Sequence, residues 1–94
     1  MTFTEVRACL SAPEPPAGLA PALAALWCDA NGDWDGAHEL AQAEAGAAGD
    51  WVHAYLHRKQ GDAGNAGYWY RRAGKPFPRS SLEQEWAEIV EALL

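Results

Sequence analysis

The sequence predicts an all-α domain, and three observations predict it. No run alternates Val, Ile or Thr with polar residues, the periodic segments are built from Ala, Leu and Glu, and Gly-Asp or Gly/Pro punctuation falls between them at helix-length intervals. The 94 residues make one domain with a single modest core. Residues 1–18 read as an N-terminal helix and Pro-rich linker, 19–74 as two helical hairpins, and 75–94 as a linker and C-terminal helix.

The first helix is expected from about Thr4 to Leu10, ended by Pro13-Glu14-Pro15-Pro16. The second begins near Leu19, with Pro21 tolerated in its first turn, and stops at Asn31-Gly32. Asp33 is placed to cap a third helix through Trp34, Ala37, Leu40 and Ala41, which gives way at Gly46 to Gly49. Asp50 reads as the cap of a helix over Trp51 to Gln60. Gly61 stops it, Asp62 caps the next to about Ala73, and Gly74 with Pro76 and Pro78 ends that one. Ser80-x-x-Glu83 carries a capping-box pattern, and Leu82, Trp86, Ile89, Val90 and Leu93 form an apolar stripe behind it. Glu83, Glu85, Glu88 and Glu91 then read as a solvated acidic face, or as a counterweight to a basic patch.

At an offset of 29, Ala25, Gly32, Asp33 and Ala37 fall on Ala54, Gly61, Asp62 and Ala66. Each copy is helix, Gly-Asp turn, helix, with a small residue where the paired helices approach. In its two hairpins, small contact residues and closing helix, the chain resembles tetratricopeptide-like or Sel1-like repeat arrays. The segment "LHRKQGDAGNAGYWYRRAG", Leu56 to Gly74, is similar over its 19 residues to a string shared by a group of small bacterial helical proteins. The first resemblance implies a binding or scaffolding module. The second brings no activity with it.

Net charge is −6, which sets the whole molecule against nucleic acid and anionic membrane surfaces. The charge is unevenly spread. Between Arg58 and Arg79 six cations face one acid, Asp62, a net of +5, while the remainder holds one cation, Arg7, and twelve acids, a net of −11. That complementarity suggests a homodimer as well as neutralisation within the chain. Cys9 and Cys28 match no zinc or redox spacing and read as thiols of a reducing compartment. No basic and apolar leader precedes them and no apolar run is of membrane length, so a cytoplasmic protein with no membrane partner is expected.

Three histidines carry the chemistry on offer. His53 and His57 lie at i and i+4, a bidentate spacing on one helix face that suits Zn, Ni, Cu or Fe. If the preceding helix packs antiparallel about a loop near Ala47-Ala48, His38 comes level with His57. The same counting sets His53 against Trp69 or Tyr70 and His57 against Asn65 or Ala66, so that His57 alone touches both neighbouring helices. His38-Glu39-x-x-Gln42 lacks the second histidine of a zincin helix, and no Ser-His-Asp order, phosphate loop or Cys-His pair is present.

Tyr68, Trp69 and Tyr70 point about 100° apart on a helix, so at least one meets solvent. The leading expectation is a groove of His38, His53, His57, Asn65, Tyr68, Arg71 and Arg72 that holds an acidic peptide or small anion. The alternative is a metal-dependent or histidine-dependent enzyme. It would use His38, His53 and His57 with a divalent transition metal, Asp62 or Asn65 orienting, and Arg71 or Arg72 on an anionic substrate. RNA binding by the aromatic and basic patch stands third, opposed by the −11 remainder. In all three, Arg58→Ala is expected to do little to binding or activity.

Overall fold

A computed structural model of the chain describes residues 2–11, 14–15 and 17–94, with the side chains of Phe3 and Ser11 left out. The described residues form six α-helices and no strand: α1 (Phe3–Ala8, continued as a 3-10 turn over Cys9–Ser11), α2 (Pro21–Ala30), α3 (Trp34–Ala43), α4 (Ala47–Gln60), α5 (Ala63–Ala73) and α6 (Leu82–Leu93). The all-α expectation holds, with α1 ending two residues early and α2 starting at Pro21 itself. Of the expected breaker after α1, Pro13 and Pro16 lie outside the described residues. A Thr2–Glu5 capping box opens α1.

The two Gly-Asp turns are built alike. Gly32 and Gly61 sit at φ 81° and 90°, left-handed values that favour glycine. The Asp33 and Asp62 amides donate to Cys28 and His57 carbonyls, both at 2.9 Å, and each aspartate then caps the next helix by accepting from Gly36 or Asn65 N–H. Four residues on, Ala37 and Ala66 are fully buried, as the 29-residue offset requires. Helix α2 packs on α3 and α4 on α5, α3 also meets α4, and α6 lies against α2 and α4.

Helix α4 is the central element. Trp51 through Leu56 and His57 are all buried, so the helix has no solvent face over two turns and its polar groups must find partners inside. The rest of the core is Val6, Leu23, Leu26, Tyr70, Trp86, Ile89 and Val90 with small alanines between helices. Every tryptophan ties its indole N–H to a named acceptor: Trp27 to Cys9 O, Trp34 to Leu56 O, Trp86 to Leu26 O, Trp51 to Glu85 and Trp69 to Asn65. That is why five of them fit a domain this small.

Four expectations need correction here. Asp50 caps nothing: α4 starts a turn earlier, at Ala47, with Gly46 at φ 107° as its N-cap. The Gly46 to Gly49 break is therefore short, and Gly49 lies inside the helix. A Cβ there would stand 1.9 Å from the Glu44 carbonyl oxygen and 2.9 Å from that of Ala41, so glycine lets α4 begin against the end of α3. The last capping box is Ser81-x-x-Gln84, one residue later than expected, because the Ser80 carbonyl is already engaged by the Arg58 guanidinium. Finally, Glu85 is not on a solvated face but 2% exposed.

Glu85 is the hub of a buried network. Its carboxylate accepts from Tyr70 OH at 2.7 and 2.8 Å, from Arg58 Nη1 at 2.8 Å and from Trp51 Nε1 at 3.4 Å. Burial, then the Glu85 carboxylate, pushes the Tyr70 phenol up, so it stays a donor. A second buried carboxylate, Asp29, joins α2 to α4 by accepting from Tyr55 OH at 3.0 Å and Lys59 Nζ at 2.8 Å. Arg58 and Lys59, neighbours in the last turn of α4, thus serve different buried acids.

Gly49 supplies a sharp test. Gly→Ala in an ordinary helix position is expected to stabilise by about 1 kcal/mol. Gly49→Ala is expected instead to cost about 1–3 kcal/mol, since the obstructing atoms are backbone and must move as a unit. Thermal unfolding reads the sign, and a melting temperature equal to or above wild type would overturn the close approach.

Candidate metal centre

Helix α4 carries His53 and His57 inward one turn apart, and the short α3–α4 turn brings His38 of α3 onto them. The three rings meet: centroids lie 4.6 Å apart for His38 and His53, 5.2 Å for His38 and His57, and 4.9 Å for His53 and His57. One ring nitrogen from each lies within 4.8 Å of the others. His53 and His57 are buried and His38 half-buried. The expected convergence is present, but its register differs. Because α4 begins at Ala47, His38 sits closest to His53, and it is His53 that touches both neighbouring helices, not His57 alone.

The surroundings hold the rings. Trp34 stacks on His38 at 4.9 Å and meets His57 edge-on at 5.7 Å, its own indole fixed by the Leu56 carbonyl. On the other side Trp69 stacks on His53 at 3.9 Å and 17°. Asn65 does not reach a histidine. It accepts the Trp69 indole N–H at 3.1 Å and so positions the ring that covers His53. Asp62 is spent as the α5 cap. Two tryptophans thus clamp the cluster, and the sequence reading missed Trp34 altogether, although its i, i+4 spacing to His38 was there to be read.

Proton placement follows from the partners. Gln60 Oε1 lies 3.3 Å from His57 Nδ1, and in the tautomer in which it accepts the Nδ1 proton His57 Nε2 keeps a lone pair. His53 Nε2, 3.1 Å away, then donates to it. Burial first, then the neighbouring His38 and His57 and the Arg72 charge, lower the His53 pKa to about 4. Burial and His57 lower that of His38 as well, against a small opposing pull from Asp35 and Glu39. Both shifts favour the uncharged imidazole, at His53 and at His38.

Beside His53 a cavity of about 360 Å³ opens between α3, the α3–α4 turn, α4 and α5, walled by Trp69 and Arg72 and by Asp50 and Glu44 on the acidic side. Arg72 lies over Trp69 at 4.9 Å and Tyr68 at 5.9 Å, with Asp50 at 3.6 Å. Tyr68 is 46% exposed, Trp69 half-buried and Tyr70 buried, the division that three successive helical aromatics demand. Arg71 is exposed on another side of α5 and does not line this cavity. Cys9 and Cys28 are free and half-buried. No helix among the described residues is long and apolar enough to cross a membrane.

Fold and cluster together define an all-helical domain with three converging, tryptophan-clamped histidines. The chain matches no protein-family model, no curated protein and no solved structure.

Proposed function

We propose that this domain binds a divalent transition metal through His38, His53 and His57, on a scaffold of two helical hairpins in a tetratricopeptide-like arrangement. The observation that carries the reading is the convergence of three ring nitrogens within 4.8 Å, two from buried residues. Tetrahedral ligands about 2.05 Å from zinc lie about 3.3 Å from each other, close to the 3.1 Å between His53 and His57 Nε2. A small rotation of half-buried His38 completes the set. The Gln60 contact to His57 is the outer-shell hydrogen bond that an Nε2 ligand requires, and the shared proton between His53 and His57 marks the place a cation would take. Three neutral nitrogens favour zinc, nickel, copper or iron(II) over magnesium or calcium. The hairpin arrangement is supported by the two Gly-Asp turns, 29 residues apart and identical in bonding.

Calorimetric titration of the chelator-stripped protein with zinc tests this. One ion is expected to bind per chain and to raise the melting temperature, and His38→Ala is expected to weaken the affinity at least tenfold. His38 is the suitable position because it is half-buried, so its loss leaves the core intact. No heat and no thermal shift at millimolar zinc would make the cluster a packed polar network instead.

A further inference from the structure

Three uncharged imidazoles leave the double charge of a bound ion uncompensated in a largely buried setting. Such a charge is costly without a counter-charge. The two acids that line the cavity both have partners: Glu44 Oε1 accepts from the Ala22 amide at the start of α2 at 3.1 Å, and the Asp50 carboxylate lies loosely, 3.6 Å from Arg72 Nε. Neither belongs to the converging group. Nor do Asp35 and Glu39, which act on His38 from its own helix, so among the described residues no anionic side chain joins the three histidines at the centre.

The cavity beside His53 offers what an outside anion needs. Arg72 lines it, held over Trp69, and its one hydrogen bond among the described residues is a long 3.4 Å contact from Nη1 to Tyr68 OH. The loose Asp50 contact uses Nε, so no hydrogen bond among the described residues engages Nη2. A planar guanidinium with spare donors recognises paired oxygens of a carboxylate or phosphate. Resting on the metal reading, we infer that the fourth ligand is a small oxyanion, a carboxylate or phosphate, bridging the metal and Arg72 in the 360 Å³ cavity. The binding of an anion, expected of this patch from sequence, is thereby confined to Arg72 and the ion. Arg71, on another side of α5, plays no part.

Cobalt(II), whose visible spectrum reports its ligands, makes this testable. The cobalt-loaded protein is titrated separately with acetate and with inorganic phosphate at constant ionic strength. A saturable one-to-one spectral change is expected, and whichever anion gives the tighter constant names the source. Arg72→Gln is expected to weaken that constant at least tenfold while the cobalt affinity stays within twofold. Cobalt uptake with no response to either anion, or a response equally tight in Arg72→Gln, overturns the bridging anion alone. Failure to take up cobalt overturns the metal reading and this inference with it.

Discussion

Arg58→Ala is expected to remove about 3–5 kcal/mol of folding stability, the range for breaking a buried ion pair by deleting one partner. Arg58 is 18% exposed and donates 2.8 Å to Glu85, which is 2% exposed, while its other nitrogen holds the Ser80 carbonyl at the entrance to α6. Deleting it leaves a carboxylate buried with Tyr70 and Trp51 as its remaining donors among the described residues, and frees the chain that turns into α6. Chemical denaturation checks the loss. In the double variant Arg58→Ala/Glu85→Gln the buried charge is gone, so the loss should be clearly smaller than in Arg58→Ala alone. A loss below about 1 kcal/mol would be that of an exposed pair and would overturn the buried role.

Acid is expected to destabilise the metal-free protein over a window set by His53. With a folded pKa of about 4 against about 6.5 unfolded, the unfolded chain binds more protons between those values, so stability rises with pH there. The His53 contribution is full above about pH 6.5 and is lost as pH falls through about 4, amounting to about 3 kcal/mol. Around the ring, His38, His57 and Arg72 oppose a proton on it, while the carboxylates across the cavity, Glu44 and Asp50, are turned to the Ala22 amide and to Arg72. Denaturant unfolding in chelator at a series of pH values checks the slope, with His53→Gln as the variant expected to flatten it. Equal slopes in the two proteins would show that the acid sensitivity has another origin.

How far the site could be read before the fold follows from particular residues. The i, i+4 pair His53 and His57 and its approach to His38 and Trp69 were legible, because helix geometry and antiparallel counting need only loop positions. The counting slipped because Asp50, a good cap by residue type, lost to Gly46. What decided it was the approach of α4 to the α3 carbonyls at Gly49, a contact between segments that no local pattern encodes. That one-turn shift moved His38 from His57 toward His53.

By itself the sequence determined the helical class, the two Gly-Asp turns, the Ala37 and Ala66 contacts and the apolar stripe of α6. All of these depend on interactions within a few residues or on a single helical period. Only the tertiary structure decided which charges are buried. Glu85 reads as one of four similar acids on α6, and no local pattern sets Asp29 apart near the end of α2. They are buried because α6 and α2 cross α4 where Arg58, Tyr70, Lys59 and Tyr55 supply donors. A buried acid is tolerable only where distant elements bring it donors, and that is settled when the helices pack.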